Sequence, residues 1–191
     1  MTRLCGTQTE KNLLTAFAGE SMARNRYTYF AEQARKEGYM QIADIFNETA
    51  DQEKEHAKRL FGFLQGGEVP ISAAFPAGVV GDTVSNLEQA AQGEHYENTE
   101  MYPGFAETAK AEGFGRIAAV FAAIAKAEIG HEKRFLALRK TIQEKQVFSR
   151  PQPVRWRCRN CGYIYEGTDA PKTCPACGES QAYFETLLEN F

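Results

Sequence analysis

Two short stretches, Glu53-Lys54-Glu55-His56 and Glu128-Ile129-Gly130-His131, constrain this chain more than any other feature. In each, a carboxylate and an imidazole stand three residues apart, which on a helix puts them on one face. The first pair lies among Ile42, Ile45, Phe46, Leu60 and Leu64, and the second among Phe121, Ile124, Phe135 and Leu138. Apolar spacing by threes and fours places both pairs on the buried stripe of an amphipathic helix. Ionisable groups on a core-facing stripe are costly without partners, so packing alone does not account for two of them.

The two stretches belong to an internal repeat. Gly38, Ile42, Phe46, Glu53 and His56 recur 75 residues later as Gly113, Ile117, Phe121, Glu128 and His131, and Tyr27 and Phe30 recur as Tyr102 and Phe105. Gly19-Glu20, however, matches Gly93-Glu94 at an offset of 74, so one residue has been inserted between Glu94 and Tyr102. A helix commonly absorbs an extra residue as a π-bulge, often at a functional site. The altered register is expected to turn Glu97, whose first-half counterpart is Met22, toward the same site as Glu94.

Helical periodicity and breakers predict four long helices. The first spans residues 7–37, capped by Thr7 or Thr9, with Leu13, Leu14, Phe17, Tyr27 and Phe30 on its stripe. The second spans 40–65 and stops at Gly66-Gly67. Residues 68–81, with Pro70, Pro76, Gly78 and Gly81, read as a long crossover. The third spans 82–111 from a cap at Asp82 or Thr83, distorted near 99–103 by Pro103. The fourth spans 114–145. The expected architecture is an all-α four-helix bundle with a long crossover over residues 1–147. A linker at 148–154 and a small β-rich metal module at 155–191 follow it.

Each half of the repeat supplies a lone Glu on its first helix and a Glu-x-x-His on its second, the ligand pattern of di-metal carboxylate bundles. The candidate ligands are Glu20, Glu53, His56, Glu94, Glu128 and His131, with Glu97 as an extra carboxylate. Five carboxylates in a bundle core need countercharge, and two divalent cations nearly balance them. Carboxylate and imidazole donors suit iron, manganese or zinc alike. Tyr27 and Tyr102 read equally as core aromatics and as hydroxyls hydrogen-bonded to ligating carboxylates. His95, beside Glu94, is expected to face away from the site.

Cys158-x-x-Cys161 and Cys174-x-x-Cys177, separated by 12 residues, form a four-thiolate site for one metal. Gly162 and Gly178 permit the turns that aim backbone N–H groups at the sulfurs. Spacing leaves iron and structural zinc both open. Trp156, Tyr163, Tyr165, Tyr183 and Phe184 are expected to wall the centre from water, which inclines the reading toward iron. Cys5 fits neither site and takes no role.

Net charge is −3 with mixed signs, which gives no nucleic-acid footprint. No apolar run reaches a membrane span. Met1-Thr2-Arg3-Leu4-Cys5 lacks the apolar core of a signal peptide, and a cytoplasmic protein is expected.

Taken together, Ala18-Gly19-Glu20-Ser21, Asp51-Gln52-Glu53-Lys54-Glu55-His56-Ala57, Gly93-Glu94 with Glu97, Glu128-x-x-His131-Glu132-Lys133-Arg134 and Trp156-x-Cys158-x-x-Cys161-Gly162-Tyr163 resemble rubrerythrins over essentially the whole chain. The resemblance implies a ferritin-like bundle with two non-haem irons and a rubredoxin-like domain with one iron. It implies a homodimer, or a larger homo-oligomer, in which one subunit's cysteine centre approaches the other's di-iron site. The implied activity is reduction of hydrogen peroxide to water, a defence against oxidative stress, with electrons from rubredoxin or an NADH-dependent reductase. The di-iron ligands would be Glu20, Glu53, His56, Glu94, Glu97, Glu128 and His131. Glu53 and Glu128 would bridge, and Glu97 and His56 would exchange on reduction. Glu97, Tyr27 and Tyr102 are the candidate catalytic groups, the tyrosines as proton donors. A ferroxidase or iron-handling protein on the same bundle is the alternative.

Overall fold

The first helix, α1 (Gln8–Lys36), starts where Thr7 accepts a hydrogen bond from the Glu10 N–H at 3.1 Å. Of the two caps the sequence offers, Thr7 is the one used. The Glu10 carboxylate in turn reaches back to the Gly6 N–H at 2.7 Å. The computed structural model describes residues 3–189; Met1, Thr2, Asn190 and Phe191, the outer ends of the two regions read from sequence, lie outside the described residues.

Helix α1 ends in a left-handed turn at Gly38 (φ +83°), with the Tyr39 N–H returning to the Ala34 carbonyl at 2.8 Å. Its repeat partner Gly113 (φ +85°) ends the third bundle helix in the same way, through Phe114 and Ala109 at 2.7 Å. The second helix, α2 (Met40–Phe61), is shorter than the sequence suggests. Gly62 caps it, tight turns follow, and the glycines that carry positive φ at 66 and 67 lie beyond its end. Leu64 therefore packs from the connection rather than from the helix.

The third bundle helix is a run of three pieces. Helix α3 (Thr83–Tyr96) is capped by Asp82, which accepts from the Ser85 N–H at 2.8 Å. A π-helical turn follows at Glu97–Met101, and α4 (Tyr102–Ala111) continues from it. The bulge thus falls inside the interval expected from the repeat, and Pro103 stands just after the Tyr102 N–H has bonded the Glu97 carbonyl, where the hydrogen-bond ladder changes register. The fourth bundle helix is α5 (Gly115–Gln143).

The two halves run antiparallel and exchange contacts. Glu112 at the end of α4 accepts the N–H groups of Gln8 and Thr9 (3.1 and 2.8 Å) at the start of α1, and its repeat partner Glu37 accepts that of Thr83 (3.1 Å) at the start of α3. Apolar packing follows the same two-fold rule. One buried cluster contains Tyr27, Ile42, Phe46, Leu87 and Phe135; the other contains their counterparts Tyr102, Ile117, Phe121, Leu13 and Leu60. Burying each large aliphatic or aromatic side chain contributes about 1.5–3 kcal/mol. A stratum of carboxylates and imidazoles lies between the two clusters.

Residues 149–154, read from sequence as linker, belong to a strand. Strand β1 (Ser149–Cys158) pairs antiparallel with β2 (Ile164–Asp169) on one side and β3 (Phe184–Thr186) on the other. A register shift between Ser149 and Val154 accommodates the prolines at 151 and 153. Beyond it, alternation buries Trp156 and Cys158 and leaves Arg155 and Arg157 exposed. The module sits against the α1–α2 corner. Arg159 donates to Asp44 through Nη2 (2.7 Å) and Nε (3.2 Å) and also pairs with Glu185, while the ring of Tyr39 stacks on Phe148.

Candidate metal centres

In the carboxylate stratum, Glu53 and Glu128 each touch both histidines. His56 Nδ1 lies 3.0 Å from Glu53 Oε2 and 3.0 Å from Glu128 Oε1. His131 Nδ1 lies 3.1 Å from Glu53 Oε1 and 2.6 Å from Glu128 Oε2. Glu20 approaches His56 at 3.7 Å, and Glu94 approaches His131 at 3.8 Å. Two donor sets result, Glu20–Glu53–His56–Glu128 and Glu53–Glu94–Glu128–His131, each with its ligand atoms within 4.8 Å of one another. Sharing Glu53 and Glu128 gives these two the position of bridges.

The donor atoms are those a pair of cations would satisfy. Glu20 Oε2, Glu53 Oε1, Glu94 Oε2, both oxygens of Glu128 and His131 Nδ1 are buried and take no hydrogen bond from outside this carboxylate–imidazole cluster. A buried polar atom left in that condition costs about 1–3 kcal/mol, more when charged. Convergence of six such atoms between two apolar clusters fits a two-metal site and no packing role.

Without metal, protons take the cations' place. Burial opposes charge on His56 and His131, but hydrogen bonds to Glu128 and Glu53 overcome it and raise them to about 9 and about 12. Burial also pushes Glu94 up to about 8, against the pull of His131, and lifts Glu20 and Glu97 well above the ordinary carboxylate range. Glu128, held between two imidazoliums that outweigh its burial, is lowered.

Each tyrosine hydroxyl donates to a carboxylate of the other half, Tyr27 to Glu94 Oε1 and Tyr102 to Glu20 Oε1. Both readings of these residues hold, since both rings also belong to the apolar clusters. Burial first, and the adjacent carboxylate next, keep both phenols protonated and therefore donating.

Glu97 stands apart from the two donor sets. It is half-buried on the π-turn, where Glu94, Glu128 and Glu53 bear on its charge, and it lines a cavity on the outer side of the site. His95 faces away, as expected, and meets Glu132 at 2.9 Å.

Two neighbours carried no sequence signal of their own. Gln52 Oε1 accepts from His131 Nε2 at 3.0 Å, so Nδ1 is the nitrogen that faces the site and, on losing its proton, would offer a lone pair to a metal. Its position beside Glu53 is the one hint the sequence holds. Arg26 lines the cavity with Glu97, and nothing in the repeat marks it.

In the module, Cys158 Sγ lies 3.8 Å from Cys177 Sγ, and Cys161 Sγ lies 3.6 Å from Cys174 Sγ. A tetrahedron with metal–sulfur bonds of about 2.3 Å has edges of about 3.8 Å. The four sulfurs are therefore placed for one tetrahedral ion and too far apart for disulfides. Hydrogen bonds from the Asn160 side chain and the Glu179 N–H draw the Cys177 thiol down to about 6. Gly162 and Gly178 take positive φ as the turns require. Trp156 and Phe184 are buried against the cysteines, with Tyr163 and Tyr183 partly so. Tyr165 does not join them: it is 40% exposed and covers Gly167 from outside. Cys5 is an exposed thiol ahead of α1.

Residues 11–139 match the family model described as rubrerythrin, and residues 156–185 match that of the rubrerythrin rubredoxin-like domain. The chain belongs to the rubrerythrin family. It is 62% identical to a rubrerythrin of Nitratidesulfovibrio vulgaris across all of both chains. A rubrerythrin of Porphyromonas gingivalis is 58% identical, over 97% of this chain and 93% of that one. Among solved structures, fully reduced, all-ferrous nigerythrin superposes with a TM-score of 0.63 at 32% identity, covering 97% of this chain and 92% of that one. As a rubrerythrin-family chain, this one combines a carboxylate/histidine di-iron centre with a four-cysteine rubredoxin-like centre. Among the described residues, no helix is long and apolar enough to cross a membrane.

Proposed function

We propose that this rubrerythrin-family protein reduces hydrogen peroxide to water, taking electrons through its four-thiolate iron into the carboxylate centre. The observation that carries this reading is one chain holding both a two-metal carboxylate/histidine site and a one-electron thiolate site. A fixed structural ion would have no use for the second. When bound, a pair of irons supplies Lewis acidity and the two electrons that cleavage of an O–O bond consumes. The balance is one peroxide, two electrons and two protons to two waters.

The protein's own part is to hold the metals, orient the substrate and deliver protons. Glu20, Glu53, His56, Glu94, Glu97, Glu128 and His131 are the assigned ligands, with Glu53 and Glu128 bridging. Glu97 and His56 would alternate at one metal; in support, His56 here faces the donor set and Glu97 stands outside it. Burial, and Glu94 next, raise an unligated Glu97 carboxyl well above the ordinary carboxylate range and so favour its protonated form beside the cavity. The Tyr27 and Tyr102 hydroxyls fix the carboxylate oxygens they touch and are the further proton donors.

A homodimer fits the same scheme. Asp44, to which Arg159 anchors the module, lies nine residues before Glu53 on α2, a rise of about 13.5 Å, before the distance to the cysteines is added. A neighbouring subunit's module could come nearer. The external donor would be a rubredoxin or an NADH-dependent reductase, in the cytoplasm.

One titration tests the proposal. The protein is reduced without oxygen, peroxide is added in sub-stoichiometric steps, and the visible thiolate–iron bands are followed. Prompt return of the oxidised bands is expected. Return only with dioxygen would replace peroxide reduction with the ferroxidase or oxidase reading, and a colourless protein would place zinc in the cysteines.

A further inference from the structure

The cavity beside Glu97 is much larger than hydrogen peroxide requires. Its volume is about 400 Å³, whereas a water molecule's share of liquid is about 30 Å³. It falls in the range of small-molecule sites, roughly 300–1,000 Å³. Its shape is long. The α1 residues along its wall run from Gln8 to Arg26, spaced by threes and fours, a rise of about 27 Å. Such a volume drawn over such a length is a narrow groove, suited to an extended chain rather than to a compact ring.

Its two ends differ chemically. Because the halves are antiparallel, Arg26 lies opposite Gly93, whose added Cβ would stand 3.8 Å from the guanidinium, and Glu97 follows one turn later. Arg26 and Glu97 are the one cation and one anion of the lining, and Arg26 Nε is buried without a partner. From this charged end the wall is apolar through its middle and turns polar again at Thr15, Asn12 and Gln8. Met22, Met101 and Phe105 line it, and Phe75 of the crossover closes it over Gly19, where an added Cβ would meet the ring at 3.8 Å. Side-chain-free positions at Gly19 and Gly93 keep the groove open.

We propose that this groove admits linear alkyl hydroperoxides, with the O–O head at Glu97 and Arg26 and the alkyl tail along α1 beneath Phe75. The inference rests on the peroxide-reductase reading and names a further substrate class for it. The reaction is ROOH + 2 e⁻ + 2 H⁺ → ROH + H₂O. The O–O bond breaks, the distal oxygen takes one proton and leaves as water, and the alkoxy oxygen takes the other; a bound iron pair would supply the two electrons, as for hydrogen peroxide.

Two measurements on the metal-loaded full-length protein decide it. The first compares turnover with hydrogen peroxide, n-octyl hydroperoxide and tert-butyl hydroperoxide. The expected kcat/KM for n-octyl hydroperoxide is within tenfold of that for hydrogen peroxide and at least tenfold above that for the branched substrate. The second titrates the oxidised protein, which cannot turn over, with 1-octanol by calorimetry; one site per chain is expected. Met22→Trp, at a position 45% exposed and so tolerant of bulk, should fill the groove. It should lower the ratio of n-octyl to hydrogen peroxide kcat/KM at least tenfold and abolish octanol binding. Failure with all three peroxides would remove the peroxide reading, while octanol binding still reports on the groove. Hydrogen peroxide turnover without n-octyl turnover, or octanol binding unaltered in Met22→Trp, would overturn the alkyl proposal alone.

Discussion

Among single residues, the two histidines make the strongest claim, because without metal they are held protonated by the carboxylates they would share with it. The sign of the resulting pH dependence is set. The folded values of His56 (about 9) and Glu94 (about 8) lie above the ordinary values of 6.5 and 4.5. The folded metal-free protein therefore binds more protons than the unfolded chain, and its stability falls as pH rises. The stabilisation is complete below the unfolded values and disappears through the folded ones, so the metal-free bundle is expected to melt lower at pH 9 than at pH 6. Metal affinity should run the other way, because binding must displace those protons; a melting curve with and without metal at both pH values checks both signs. The tyrosines permit a smaller test. Tyr27→Phe keeps the ring in its cluster and strips the donor from a buried oxygen of Glu94. A loss of about 1–3 kcal/mol in denaturant unfolding of the metal-free protein is expected, with a slower proton-dependent step in peroxide turnover. At this scale the sequence identified every residue of the two donor sets, since repeat register singles out buried carboxylates. It passed over Arg26 and Gln52, whose importance comes from what the fold brings beside them.

At the level of elements, the π-turn is the feature that reading two halves against each other located within a few residues. One extra residue in a helix has few places to go, and the repeat offset bounded them. Deleting Glu100, an exposed position within that turn, should restore α-helical register and leave Glu94 seven residues from its tyrosine, the spacing of Glu20 and Tyr27 on the unbroken α1. Helix content by circular dichroism and two-metal binding are expected to hold, while Glu97 loses the turn that sets its direction and peroxide turnover drops at least tenfold. Helix ends were less legible. Gly66-Gly67 looked like the stop of α2, yet Gly62 ends it, because apolar residues at 63 and 64 satisfy the core equally well from a turn. The two prolines near 151 suggested a linker, and a bulged edge of β1 accommodates them instead.

For the whole molecule, the two regions fold around separate metals and meet through few groups. Cys158→Ser is expected to abolish the thiolate-iron bands and leave two metals in the bundle; loss of those two by elemental assay would show that the centres depend on each other. Arg159→Ala removes the ion pairs to Asp44 and Glu185. Asp44 is partly exposed, but Glu185 is buried and keeps only Arg157, so denaturant unfolding of the module should lose about 1–3 kcal/mol, while proteolysis near residues 144–149 accelerates as the module comes free. The sequence disclosed both metal modules but not their docking, which depends on single charges at a corner. Within the bundle the interdependence is of another order. Tyr27 serves Glu94 and Tyr102 serves Glu20; Glu37 accepts the Thr83 N–H at the start of α3, and Glu112 accepts those of Gln8 and Thr9 at the start of α1. Each half thus keeps its own glutamates and helix caps and lends a phenol and a carboxylate to the other. A fragment ending before the crossover would hold a phenol with no acceptor and helix-start N–H groups with no carboxylate, and would find both on its complement. The pair, cut between Gly66 and Gly67 and mixed, should recognise each other, with recovery of two bound metals as the sign that neither half is a protein by itself.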